Sequence, residues 1–271
     1  MAYTHFKLTS MAVFPARTLQ AVQRLACLFL FLAGSGCAPR PAPHPLAIAA
    51  AADLSFAMEE LSRQFAGIAP GTRLEVAYGS SGTFFAQLQN GAPFDLFLSA
   101  DLAYPRQLAA KGIGAGNSLF TYGAGRLVVW VPATSPLDPA AALNNRSWKH
   151  LAIANPQHAP YGRAAEAALR GMGLYDQVSP KLVLGENVAQ ALQFVESGAA
   201  DVGIVALSLA LAPATRALGR YWELPLDSYP PMEQGGMIIR DTAEARAFRA
   251  FLLSPAGRRI LKQYGFYSPG E

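Results

Sequence analysis

From residue 46 onward, short apolar runs alternate with segments whose apolar residues recur every three or four positions. Residues 46–51 (LAIAAA) have the length and content of a buried strand. Leu54, Met58, Leu61 and Phe65 then mark one face of a helix over 54–66. Residues 73–77 predict a second strand. Residues 81–89 predict a helix with Phe84, Phe85 and Leu88 on its apolar side. A third strand follows at 94–98, and a helix at 102–111 stops at Gly112. This β-α-β-α-β-α order predicts a parallel sheet covered by helices.

The rhythm returns downstream. Strands are predicted at 127–131, 151–154, 182–184, 202–205 and 235–239, and helices at 163–172, 188–197, 243–252 and 256–264. The stretch from Leu46 to the end suits two α/β lobes better than one sheet. The first lobe takes residues 46–124 and 223–271, and the second takes 125–222. The first crossing is expected in 120–125. The return is expected near 221–231, where Pro225, Pro230 and Pro231 interrupt regular structure.

Residues 1–45 follow a different pattern. Lys7, Arg17 and Arg24 precede the apolar run 25–33, which is too short to span a bilayer but has the length of a signal-peptide core. Small residues and Cys37 come next, a layout that resembles a bacterial lipoprotein signal. Residues 1–36 are therefore read as a removable signal, with Cys37 as the lipidation site. Ordinary cleavage nearby is the alternative. Residues 37–45, rich in Pro, read as an extended tether.

Composition changes the picture in two places. Hydrophobic residues make up 52% of the 271 and charged residues 15%, which excludes a disordered chain. The net charge of +4 comes from 22 basic and 18 acidic residues. Three of the basic residues and none of the acidic ones lie in 1–36, so the mature chain carries +1 and no basic cluster that would fit nucleic acid. The two cysteines, Cys27 and Cys37, supply neither a disulfide framework nor a Cys-rich zinc site.

In parallel α/β folds, ligands bind beyond the carboxyl ends of strands, where helix N-termini offer unpaired N–H groups. Four such turns carry small or capping residues: Ala50 to Ser55, Tyr78 to Thr83, Asn155 to Gly162, and Gly185 to Val188. Two belong to each lobe, so all four can face one cleft. Gly79 and Gly82 permit close approach of backbone to a ligand. Ser80 and Ser81 bring uncharged hydroxyl donors, although each is also a plausible helix N-cap.

These segments carry a resemblance. AAADL, YGSSGT, NGAPFDLFLSAD (90–101), NPQHAPYG (155–162), ENVAQAL and GAADVGIVAL (198–207) together resemble the periplasmic molybdate-binding proteins of ABC importers, over about 46–266. The resemblance implies the type II periplasmic-binding-protein fold, two α/β lobes with a ligand cleft between them. It implies a receptor for molybdate or tungstate with no cofactor. Its partners would be a membrane permease and its ATPase, and its location periplasmic or lipid-anchored outside the cytoplasm. A monomer is expected. By the same resemblance, Ser81 donates its hydroxyl and N–H to the oxyanion, and Tyr161 and Val188 donate backbone N–H. Ser80 and Ser55 can add donors. The first-turn position that the family fills with Ser or a Thr-Asn pair reads Ala52-Asp53. A Tyr hydroxyl used by some members is replaced by Ala206.

Asp53 is the departure. An ionised carboxylate repels a dianion in a poorly screened cleft. Three readings stand: Asp53 caps its own helix through the N–H of Ser55 or Phe56; it is protonated and donates; or it accepts a proton from the ligand and so selects a protonated oxyanion such as phosphate or arsenate. A serine hydrolase is the rival from another class, but G-x-S-x-G is not met at 79–83 and no base is assigned to Ser81. A cation receptor would need His and carboxylates at ligand spacing, which are missing. Arg163 and Glu186 read as exposed residues beside the turns. Trp130, Trp148 and Trp222 read as packing residues.

Overall fold

The computed structural model describes residues 45–145 and 147–268. They belong to one compact unit. The signal segment, Cys37 and the tether up to residue 44 lie outside the described residues.

Two five-stranded sheets organise the chain. In the first, β1 (Leu46–Ala51) lies between β2 (Leu74–Gly79) and β3 (Leu96–Ser99), all parallel. The connections are α1 (Ser55–Ile68) and α2 (Ser81–Gln89). After α3 (Ala103–Ala110), β4 (Phe120–Gly125) ends the first pass through this lobe. The second sheet is built from β5 (Leu127–Pro132), β6 (Leu151–Ala154), β7 (Leu182–Gly185), β8 (Val202–Ala206) and β9 (Gly219–Glu223). Its main helices are α4 (Pro160–Gly171) and α5 (Val188–Glu196). The chain then returns through β10 (Met232–Ile238) to the first sheet and ends in α6 (Ala243–Leu253) and α7 (Pro255–Gln263).

The strand orders are β2-β1-β3-β10-β4 and β7-β6-β8-β5-β9. Both lobes follow one plan. Three parallel strands form the core, and the strand arriving from the other lobe lies antiparallel beside them, followed by one more strand. The sheets are therefore mixed. The parallel arrangement expected from the β-α-β-α-β-α order holds for β1, β2 and β3, while β10 runs antiparallel to β3 and β4, and β5 runs antiparallel to β8 and β9. Local pattern cannot report this, because strand direction is set by which lobe the chain comes from. Residues 120–125, expected as the crossing, form an edge strand of the first sheet, and the crossing follows at Arg126. Glu223 still belongs to the second sheet, so the return runs through 224–231.

The hydrophobic pattern explains the cores. Leu54, Met58, Leu61 and Phe65 are each fully buried against the first sheet. α1 ends at Ile68, two residues before Pro70, as the restriction ahead of proline requires. Phe65 meets Phe248 edge-on at 5.1 Å and Phe251 at 5.7 Å, which ties the first helix to the chain's C-terminal helices. β5 and β8 bury every residue apart from Pro132 and form the centre of the second core. Trp130 and Trp148 are packed within it.

Phe65→Ala should cost about 3–5 kcal/mol of stability, because the void is bounded by two helices and a sheet that cannot collapse together. A fall in the urea midpoint with unchanged slope checks this.

Candidate functional site

The carboxyl ends of β1, β2, β6 and β7 face a shared small cavity between the lobes. It is lined by Ala51, Ala52, Asp53, Gly79, Ser80, Ser81, Ala100, Ala159, Pro160, Tyr161, Asn187 and Val188. No lining residue is a cation. Six of the seven residues read from the sequence as ligand donors meet here. Ser55 does not. It lies on an adjoining groove with Phe56, Tyr78 and Gln193.

Three helices begin at this cavity, and each leaves its first N–H groups without an intrahelical acceptor. Local capping removes most of them. At α2, the Ser80 hydroxyl accepts from the N–H of Thr83 at 3.2 Å, and the N–H of Gly82 donates across the cleft to the carbonyl of His158 at 2.9 Å. That leaves the N–H of Ser81. At α5, the side chain of Asn187 accepts from the N–H of Ala189 and of Gln190, which leaves Val188. At α4, Pro160 has no N–H and Ala159 provides no side-chain cap, which leaves Tyr161 and Gly162. So each helix start presents a residual donor, and Ser81, Val188 and Tyr161 all line the cavity. α4 starts three residues earlier than its pattern predicts, because a proline at the first helical position continues into the helix instead of breaking it. Tyr161 thus sits in a helical first turn.

Ser81 is fully buried. Its oxygen accepts from the N–H of Ala100 at 2.9 Å, which leaves its own hydrogen free to donate. Ser80 acts as the cap of α2 and shares a 2.8 Å hydrogen bond with the Thr83 hydroxyl.

Asp53 does not cap. It lies inside the helical turn Ala52–Leu54, and neither that turn nor α1 has a side-chain cap. Oδ2 accepts from Tyr161 Oη at 3.0 Å and from Gln234 Nε2 at 2.6 Å, while Gln234 also donates to Tyr161 Oη at 3.1 Å. These partners belong to α4 of the second lobe and β10 of the first. Ser208, in the second lobe, donates to the backbone carbonyl of Asp53 at 2.8 Å. The Asp53 carboxyl is raised from 3.8 to about 6, because burial pushes it up by more than donation from Gln234 and Tyr161 and the proximity of the N–H groups of Asp53 and Leu54 lower it. Burial, with the Asp53 charge beside it, also holds the Tyr161 phenol well above its ordinary range.

Further contacts draw the lobes together. Arg163, read as an exposed residue, reaches from α4 to Asp101 at 2.7 Å and to Tyr104 Oη at 2.9 Å. A Cβ on Gly82 would stand 2.5 Å from the His158 carbonyl, so the close approach of α2 to the second lobe needs glycine there. A side chain at Gly125 would overlap Tyr161 Oη and meet Gln234 Nε2 at 2.6 Å. His158 Nε2 faces Glu186, with its carboxylate at 3.2 Å and its carbonyl at 3.0 Å. His158 therefore has a partner away from Ser81. Gln234 and Ala100 were missed by sequence reading. Ala100 lies in the turn after β3, where the 90–101 segment assigns it no role, and Gln234 lies in no cleft turn, 181 residues from Asp53.

A raised carboxyl pKa makes burial of Asp53 costless below 3.8 and progressively destabilising as pH rises through about 6. Asp53→Asn should therefore raise stability by up to about 3 kcal/mol at pH 7.5, with the gain vanishing near pH 4. Thermal melts of both proteins across that range check the sign and the window.

Comparison with known proteins places this geometry. The sequence profile of the bacterial extracellular solute-binding proteins matches residues 46–267. The molybdate-binding protein ModA of Azotobacter vinelandii is 38% identical over 220 residues, covering 80% of this chain and 87% of that one. The ModA of Rhodobacter capsulatus is 37% identical over 199 residues, covering 72% and 78%. The solved structure of the Azotobacter vinelandii periplasmic molybdate-binding protein superposes with a TM-score of 0.76 at 35% identity, covering 83% of this chain and 99% of that one. The two mixed sheets, the paired crossings and the interlobe cavity are those of the two-lobed type II binding-protein fold. The chain belongs to the bacterial extracellular solute-binding protein family and, within it, to the ModA group.

Proposed function

We propose that this protein is the solute-binding component of an ABC importer and takes molybdate or tungstate into the interlobe cavity. The observation that carries the reading is the convergence of residual helix N–H groups on one cavity without a lining cation. A tetrahedral dianion loses its water there, and fixed dipoles replace it. Ser81 supplies its hydroxyl and N–H, and Tyr161 and Val188 supply backbone N–H. Ala52 keeps the first turn free of bulk. Ser80 holds the start of α2, and Asn187 that of α5. No cofactor is needed, because the work is desolvation and positioning. Donors fixed by two rigid lobes select by size, which favours the larger molybdate and tungstate over sulfate.

The names of the relatives support this role, since the ModA proteins are named as molybdate-binding. The lobes close by a hinge at the crossings, and a permease with its ATPase takes the ligand from the closed form. The protein works outside the cytoplasm as a monomer, and Cys37 is the point at which a lipid would anchor it. It is a binding protein and not an enzyme. Ser81 gives its acceptor site to Ala100, and His158 is engaged by Glu186. The reading in which Asp53 selects a protonated oxyanion such as phosphate or arsenate is the second possibility, favoured only by the buried carboxyl.

Isothermal titration with molybdate, tungstate, sulfate and phosphate tests the proposal. Tight binding of the first two alone is expected, and binding of phosphate alone moves the specificity to the second reading. Ser81→Ala removes one charge-assisted donor worth about 1.5–3 kcal/mol, so the Kd for molybdate should rise roughly 10- to 100-fold. An unchanged Kd would remove Ser81 from the site.

A further inference from the structure

Asp53 lines a cavity that is otherwise built from neutral donors, and only half of its carboxyl group is accounted for. Oδ2 accepts from Tyr161 and Gln234, and both bonds require an oxygen that carries no hydrogen. Oδ1 is buried and has no hydrogen-bond partner among the described residues. The ionisable groups facing it are Tyr161 on α4 and Tyr122 on β4, and burial keeps both phenols protonated. Gln234 on β10 and Ser208 in the short helix Leu207–Ala210 after β8 are uncharged, and the start of α5 presents Asn187 and Val188 to the same cavity. No Lys, Arg or His lines it. A carboxylate here would face a bound dianion with nothing between them to offset either charge.

We propose that the closed, ligand-bound protein holds Asp53 as a neutral acid, with its proton on Oδ1 donated to the bound oxyanion, so that each dianion enters together with one proton from solvent. The inference rests on the reading of the cavity as an oxyanion site, and it makes Asp53 a ligand donor and not a repulsive residue. The balance is simple. The carboxylate of the unliganded protein takes one proton from solvent, the anion enters with its own charge unchanged, and no other bond forms or breaks. Burial, offset in part by the donors to Oδ2, already holds this carboxyl at about 6, and a dianion beside it pushes in the same direction. Above the ionisation of Asp53 in the unliganded protein, the Kd should rise tenfold for each pH unit.

The test is calorimetric titration of the protein with molybdate at pH 7.5 in buffers of different ionisation enthalpy, repeated from pH 6 to 8.5. The wild type should take up close to one proton per anion. Asp53→Asn keeps an oxygen for Tyr161 and Gln234 and offers an amide N–H in place of the acid proton. It should bind with no proton uptake and with a Kd that is flat across the range. Anion binding to the wild type without proton uptake overturns the inference and leaves the receptor reading intact. Uptake that persists in Asp53→Asn places the proton on the ligand and also overturns it. No heat with molybdate, tungstate, sulfate or phosphate at any pH overturns the receptor reading and the inference together. If Asp53→Asn fails to fold, absence of uptake by the wild type still overturns the inference, and Asp53→Ser takes the place of the variant in locating the proton.

Discussion

The first N–H groups of a helix cannot be satisfied within that helix, and the architecture of this protein turns on where they go. α2, α4 and α5 start at the carboxyl ends of β2, β6 and β7, and these ends face one another across the cleft. Side-chain caps from Ser80 and Asn187 remove the donors that point elsewhere. Pro160 removes one by having no N–H at all. What remains is a small set of donors from two lobes, directed at one volume. Charge is not needed to recognise an anion there, since dipoles held by two sheets cost no reorganisation when the ligand arrives.

That arrangement exists only when the lobes are together, so the contacts that join them belong to the site. The N–H of Gly82 spans the cleft to His158, Arg163 spans it to Asp101, and Ser208 spans it to the backbone of Asp53. The Arg163 pair is partly exposed and screened by solvent, and its worth is correspondingly small. The buried contacts carry more, because their groups have no water to return to unless the lobes separate. Tyr161 joins both sets. It lines the cavity, and its hydroxyl donates to Asp53.

Much of this was legible in the sequence, and the rest was hidden for identifiable reasons. The strands at Leu46–Ala51 and Leu151–Ala154 and the helix at Ser81–Gln89 follow from local periodicity, which is a property of neighbouring residues. The four cleft turns were visible because small residues and caps cluster at strand-to-helix junctions. The direction of β10, the start of α4 and the edge strands β4 and β9 were not. Gly123, Gly125 and Gly219 weaken the strand pattern where a neighbouring chain approaches closely. Strand direction depends on chain path, which no window of residues contains. Asp53 was legible as an anomaly, but its partners were not. Tyr161 and Gln234 lie 108 and 181 residues away, and only the double crossing brings them to it.

The position of Asp53 explains why a carboxyl group can persist at an anion site. It sits where β1 ends and is bound by a residue of the opposite lobe and by one on the returning strand. An opening of the cleft at the proposed hinge would separate Asp53 from Tyr161 and return the carboxyl to water, where the charged form is preferred. Closing it restores the bonds to Oδ2 and withdraws the group from solvent, where the neutral form is preferred. With the proposed hinge motion, protonation of Asp53 and separation of the lobes are two coupled equilibria, and each biases the other by the same free energy. A neutral residue at this place would make a donor indifferent to lobe position. An acid there makes the donor appear as the cleft shuts.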